Sequence, residues 1–406
     1  MASHCSGLAS KQRPSLPTND TARDVASGLI GGDSVALDAC RLAAAVAGYE
    51  EHTLPGPENS PKDVCDVVAL CNSSVDSAKA AVKKYDLPPT TKTYGTPEDL
   101  ANDPDVDLVA CCVRVDRHYK VMKPVLEKGK DAFVEWPLAA NLKEAEELTA
   151  IAKEKGSKTV VGLQGRMDPR VQKLRELIKD GMIGDVQSTT ITANAGGIGG
   201  QLEPPGIDYF SKRAVGGNLL TIPAIHTIDN LLYALGEFEE FDATLAIRWP
   251  KPNLSNSDGS IGASVNRDTP DHIFIQGTLA PSGAAASFTM RGGKGFKSDP
   301  NLVWHIIGTK GEIRITSPTL LGITTGIETF ELYDHEKDDI EIIDCPFPES
   351  VKDMEKFSKN CGQVYEAFAT GNKEGVVTFE EALKRHNLIE EIWTKSEGKT
   401  PAKYVQ

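Results

Sequence analysis

This sequence predicts a Rossmann-like α/β domain with a parallel sheet, followed by an α+β domain with a large, mostly antiparallel open sheet. Three observations predict it. Up to about residue 165, short continuous apolar runs alternate with amphipathic helical stretches, the pattern of strands covered on both faces by crossover helices. Beyond that point, long alternating β-rich runs dominate. The chain has 406 residues, enough for two or three domains and a sizeable core.

Taken in order, Met1 to Asp20 is polar and rich in Ser, Pro and Thr, and reads as a disordered tail. The first domain is placed at 21–165 and the second at 166–406, with a C-terminal helix near 378–395 packing back on the first domain. Val25 to Ile30 reads as the first strand, and the alanine-rich Ser34 to Gly48 as a helix capped by Asp33 or Ser34. Glu50 to Lys62 carries Pro55, Gly56, Pro57 and Pro61 and reads as a loop. Strands are expected at Val64–Cys71, Val106–Val113, Asp131–Glu135 and Thr159–Gln164, with helices at Val75–Tyr85, His118–Lys128 and Leu142–Lys155. In the second domain, strands are expected at Val186–Ala193, Phe241–Trp249, His272–Leu279, Ala284–Met290, Leu302–Gly308 and Glu312–Ser317. Pro169–Asp180, Ile222–Leu235 and Thr378–Lys395 read as helices.

Composition excludes some functions. The net charge of -14 argues against direct nucleic-acid contact, which needs a basic stripe. No apolar run approaches the roughly 20 residues of a membrane span, and the opening residues carry no apolar signal-peptide core. The eight cysteines form no paired framework, so buried free thiols in a reducing, cytoplasmic setting are expected. No Cys-x-x-Cys or His-rich cluster points to a metal.

Four stretches carry chemistry. The candidate phosphate loop is Gly28 to Ser34, with Gly31 and Gly32 as a tight turn after the first strand and a helix N-terminus behind it. Asp33 and Ala36 occupy the places of the second and third fingerprint glycines, and an ordinary strand–helix turn is the competing reading. Asn72, Ser73 and Ser74 stand where an acidic ribose ligand is expected, which decides nothing between NAD and NADP. The second stretch runs from Cys112 to His118, with Val113, Arg114 and His118 at the exit from a buried strand. The third is Leu163 to Pro169. Gln164 and Arg166 point toward the interdomain cleft, and Arg166 suits either a bidentate anion contact or a domain-tethering ion pair. The fourth, Gly216 to Asp229, holds His226, the best general acid/base candidate because its ordinary pKa lies near neutrality. A further mark is Glu135-Trp136-Pro137, at the end of an apolar strand. An indole N–H donates one hydrogen bond but shuttles no proton at neutral pH.

These stretches resemble the glucose-fructose oxidoreductase/inositol dehydrogenase (Gfo/Idh/MocA) family over about residues 64 to 400. Val134 to Ala139, Leu163 to Arg166, Pro270 to Leu279, Gly292 to Lys294 and Ile307 to Gly311 resemble its fungal branch, which includes the yeast galactose-regulon repressor. The resemblance implies a bound NAD or NADP and commonly a dimer. It places the family's catalytic lysine at Trp136 and an aspartate at Thr221, while His118, His226 and Asp229 match. Tryptophan at 136 is itself a mark of that branch.

The reading favoured here is an NAD(P)-dependent oxidoreductase on a small hydroxyl or carbonyl substrate (a sugar, polyol or secondary metabolite). His226 is its proton group, relayed through Thr221 or a water, with Trp136, Glu135 and Arg166 around the substrate. Expected cofactor contacts are Gly31, Gly32, Asn72, Ser73, Val113, Arg114, His118, Glu135, Trp136 and Gln164. A homodimer through the second-domain sheet is expected. One alternative is a non-catalytic, dinucleotide-sensing regulator that binds a protein partner and is also nuclear. Another is a redox-neutral cyclase or isomerase on the same fold.

Overall fold

The computed structural model describes residues 41–45, 66–319, 329–354 and 358–397. The tail, the Val25–Ile30 strand, Gly31, Gly32, Asp33 and the Glu50–Lys62 loop lie outside the described residues.

The first unit is a six-stranded, wholly parallel sheet. Its strands are β1 (Arg41–Ala45), β2 (Asp66–Cys71), β3 (Lys92–Tyr94), β4 (Leu108–Cys111), β5 (Asp131–Glu135) and β6 (Thr159–Gly162), in the order β3-β2-β1-β4-β5-β6. This is the doubly wound order whose ligand crevice opens at the carboxyl ends of the strands. Helices α1 (Val75–Lys84), α2 (Pro97–Ala101), α3 (His118–Glu127) and α4 (Leu142–Lys155) form the crossovers. Local chemistry fixes their ends. Ser74 Oγ accepts from Ser77 N, Thr96 Oγ1 from Asp99 N, and Asn141 Oδ1 from Glu144 N, each satisfying an N–H that the helix cannot. The central strands are apolar throughout because both faces are covered: Leu108 to Cys111 is buried at every position.

One expectation is corrected. Residues 41–45, RLAAA, form β1 rather than part of a helix, and β1 pairs with β2 on one side and β4 on the other. Without it, two neighbouring strand edges would face each other unpaired, which outweighs the modest helix preference of alanine. Gly31 and Gly32 therefore precede β1, the first of the described strands, and do not form the turn that follows it. The chain leaving β1 reads Val46-Ala47-Gly48.

The second unit is an eight-stranded sheet. It contains β7 (Val186–Asn194), β10 (Phe238–Ala246), β13 (His272–Leu279), β14 (Ala284–Arg291), β15 (Leu302–Gly308), β16 (Gly311–Ser317), β17 (Thr329–Asp334) and β18 (Asp339–Ile342), in the order β10-β13-β14-β7-β15-β16-β17-β18. Only the β14–β7 pair is parallel. Burial alternates strictly along β14 and β15, so one face makes the core and the other is open. A small sheet of β9 (Leu202–Glu203), β11 (Asn253–Ser255) and β12 (Ile261–Ser264) was not legible in the pattern, and neither was the short β8 (Gly196–Gly199). The helices of this part are α5 (Pro169–Lys179), α6 (Ile225–Leu235), α7 (Lys359–Thr370) and α8 (Phe379–Glu397). Helix α8 lies against both β10 and α4, so it touches both sheets' layers. No described helix is long and apolar enough to cross a membrane.

Candidate active site between the two sheets

The carboxyl ends of β2, β4, β5 and β6 line one edge of the parallel sheet. At the end of β2, Asn72 Oδ1 accepts from Ser73 N at 2.7 Å, and Ser73 and Ser74 are exposed. At the end of β4, Val113 is buried, and Arg114 forms a two-pronged pair with Asp116 at 2.7 Å on each prong. The Arg114 guanidinium also sits 5.6 Å from the Tyr209 ring of the second unit. His118 is buried, with Nδ1 2.9 Å from the Pro137 carbonyl and Nε2 2.7 Å from the Val113 carbonyl. Two carbonyls favour a doubly protonated ring. Burial opposes this more strongly and leaves the imidazole below its ordinary pKa. His118 thus ties the β4 exit to the β5 exit, and both of its nitrogens are committed to backbone.

Glu135 ends β5 with its carboxylate against Gly162, where even a Cβ would come within 2.7 Å of Oε2. Trp136 follows, 4 % exposed, joined to Pro137 by a cis peptide bond. Its Nε1–H donates to the Thr221 carbonyl at 2.6 Å. Thr221 sits in a π-helical turn, Leu220–Ala224, that feeds α6. Its hydroxyl donates to the Gly216 carbonyl at 2.7 Å and accepts from Asn218 N at 2.9 Å. The hydroxyl is therefore occupied, and a proton relay through it has no opening. The turn is pressed onto the first unit. Gly216 has φ +88° and its Cβ position would lie 2.5 Å from Ala140 Cα, so only glycine fits there.

Arg166 follows β6. Its Nε and Nη2 donate to Asp229 at 2.8 and 2.7 Å, and Arg385 Nε donates to the same carboxylate at 2.7 Å. Burial pulls the Asp229 carboxyl up, but the two guanidinium groups hold it below the ordinary carboxylate range. Of the two readings of Arg166, the structure gives it the ion pair, leaving its fork no room for a substrate anion. Arg385 and Asp229 are 156 residues apart in the chain, and no local signal in the sequence could have paired them.

Around this pair lie polar atoms without a partner. His226 Nδ1, Gln164 Oε1, both amide atoms of Asn230 and His386 Nε2 are buried and make no hydrogen bond. Asn230 stands one turn beyond His226 on α6, with its amide against Gly165, the neighbour of Gln164. Burial pushes the His226 imidazole down to about 4, partly offset by Asp229, so it is neutral at physiological pH. The near-neutral pKa that made His226 the acid/base candidate is thus corrected: the buried imidazole is a weaker base than a free one, while its unpartnered Nδ1 and the neighbouring amides can still hold a hydroxyl. Asn230 and His386 were missed by sequence reasoning; Asn230 follows the quoted Gly216–Asp229 stretch directly, but nothing in the pattern marks His386.

The described residues fit the nicotinamide half of a dinucleotide. The ends of the neighbouring strands β4, β5 and β6 bring Val113, Glu135, Trp136 and Gln164 to one edge of the sheet, and the buried, unpartnered Gln164 oxygen suits a donor such as a carboxamide. Gly31 and Gly32 fall outside the described residues and before β1, so they are not part of this fit. Among the described residues, no group of three or more His, Cys, Asp or Glu side chains could hold a metal ion. Cys71 and Cys111, flanking β1, are free, and burial pushes their thiols up to about 11 and about 12.

A parallel sheet in this strand order, polar side chains gathered at its carboxyl edge and an open antiparallel sheet in the second unit define a two-domain, dinucleotide-binding type of oxidoreductase fold. Residues 44–163 match the oxidoreductase family with the NAD-binding Rossmann fold, GFO_IDH_MocA, and residues 169–317 match the C-terminal domain of Gal80p. The chain thus joins a Gfo/Idh/MocA-type nucleotide-binding domain to a Gal80p-like C-terminal domain. A protein named dehydrogenase aclE from Aspergillus oryzae is 29% identical over 362 residues, 86% of this chain and 91% of that protein. The galactose/lactose metabolism regulatory protein GAL80 of Saccharomyces cerevisiae is 33% identical over 258 residues, which span 61% of this chain and 59% of GAL80. The crystal structure of a super-repressor mutant of Gal80p from the same yeast superposes with a TM-score of 0.76 at 25% identity, covering 89% of this chain and 96% of that one.

Proposed function

We propose that this protein is an NAD(P)-dependent oxidoreductase acting on a small, uncharged hydroxyl or carbonyl substrate in the cytoplasm. The observation that carries this reading is His226: buried, neutral at physiological pH and with Nδ1 free. Asn72 and Ser73 would face the adenosine ribose. Val113, Glu135, Trp136 and Gln164 would hold the nicotinamide half, which supplies the hydride acceptor or donor when bound. His226 takes the proton from the substrate hydroxyl in oxidation and returns it in reduction. Trp136 cannot do so, which leaves the histidine alone in the proton role. Arg166 and Thr221 hold His226 and the crevice wall in place through Asp229 and the π-helical turn. The test is a change in nicotinamide absorbance with a panel of polyols, sugars and carbonyl metabolites, using each cofactor. Turnover should fall at least 100-fold in His226→Ala with cofactor affinity kept. No turnover on any substrate, or an unaffected variant, would refute the assignment.

A second reading is a dinucleotide-sensing regulator with a protein partner. It is favoured by the bond from Trp136 to the Thr221 carbonyl, which fills the place of the family's lysine with an uncharged bridge, and by the likeness to GAL80. Tight dinucleotide binding without turnover on the whole panel is its signature. We further propose a homodimer through the open sheet face. Phe274, Ile340 and Ile342 project there at 46%, 55% and 75% exposure, among threonine and serine side chains such as Thr190, Thr192 and Ser287.

A further inference from the structure

Helix α8 lies beyond both family-matched stretches, 44–163 and 169–317, yet two consecutive residues on it reach both walls of the site. Arg385 donates to Asp229 and, through its two Nη atoms, to Glu237 at 2.8 and 2.7 Å. The His386 ring lies against the Trp136 indole, with centroids 4.9 Å apart and planes inclined at 52°. Consecutive helical side chains diverge by about 100°, so one turn of α8 serves the α6 wall and the β5 wall together. Arg385 has every prong matched to a carboxylate, whereas His386 is 4 % exposed and its Nε2 has no partner. A phenylalanine at 386 would offer Trp136 the same kind of ring without burying an unpaired nitrogen. For folding alone the imidazole is the poorer choice. A buried residue that is poor for stability and touches the site is the pattern of a functional position.

We propose that His386 is a positioning residue of the ligand site. Its ring fixes the Trp136 indole at the end of β5, and its Nε2 is left open within the protein because the bound ligand supplies the partner, directly or through water. The inference rests on the reading of this crevice as a nicotinamide site. It also makes α8 part of the site, although that helix is remote in sequence from every other wall.

The test compares wild type, His386→Phe, His386→Ala and the exposed control Lys384→Ala. Thermal melting and calorimetric affinity for NADH and NADPH are read for each. His386→Phe is expected to melt higher than wild type and to bind the preferred dinucleotide at least fivefold more weakly. A merely structural role moves both quantities the same way. His386→Ala should lose both, and Lys384→Ala neither. Affinity within twofold of wild type in His386→Phe overturns the proposal. If wild type binds neither dinucleotide, the cofactor reading falls. The positioning role is then decided by acrylamide quenching of the Trp136 emission, taken as the difference from Trp136→Phe. Unchanged quenching in His386→Ala overturns it.

Discussion

Asp229 is the residue on which the site's charge balance turns. It receives Arg166 and Arg385 and is almost wholly buried, so Asp229→Asn removes the carboxylate they share, leaving Arg385 only Glu237 and Arg166 only Glu381 at 3.7 Å. Breaking a buried pair of this kind costs about 3–5 kcal/mol, and urea unfolding should show a loss of that order. Arg166→Gln leaves Arg385 in place and should lose less. His226 and His386 carry a pH signature. Their folded pKa values, about 4 and about 3, lie below the ordinary 6.5. Between those values the unfolded chain binds more protons than the folded one, so stability falls as pH drops from about 6.5 toward 4 and is regained on raising it. The expected loss by pH 4 is on the order of 3 kcal/mol for each histidine, and His386→Phe should flatten the acid limb of melting temperature against pH.

At the scale of elements, the π-helical turn at Leu220–Ala224 joins the two units. It receives the Trp136 N–H and presses Gly216 onto Ala140. Gly216→Ala places a methyl at a positive φ and into Ala140 backbone. It should destabilise by about 1–3 kcal/mol and weaken dinucleotide affinity by opening the contact at Trp136, measured by melting and calorimetry. The strands and helices that frame this contact were legible. β5 and α4 fall at Asp131–Glu135 and Leu142–Lys155, as the apolar run and the Asn141 cap indicate. β1 was not legible, because a five-residue run of Arg, Leu and Ala has the composition of a helix. Its strand state depends on the gap between β2 and β4, which no local window contains.

At the scale of the molecule, the open face of the eight-stranded sheet sets the prediction. Phe274→Glu with Ile342→Lys should convert the proposed dimer to a monomer in sedimentation equilibrium, with the melting curve of the monomeric fold preserved. A monomeric wild type would refute the assembly. The exposed isoleucines of β18 could not be read in advance, because a four-residue strand with alternating Asp, Ile, Glu and Ile gives too short a pattern.

The sequence by itself determined the two-part architecture, most strand and helix positions and the residue types at the site, including His226, Gln164 and Trp136. Periodicity, capping and apolar runs are local and survive in a single chain. The tertiary structure decided what those residues are free to do. Arg166 is tied to Asp229, the Thr221 hydroxyl is committed, His118 is clamped between two carbonyls, and His386 is brought against Trp136 from about 250 residues away. A side chain's protonation and availability depend on burial and on partners from distant segments, and only the folded chain brings those together.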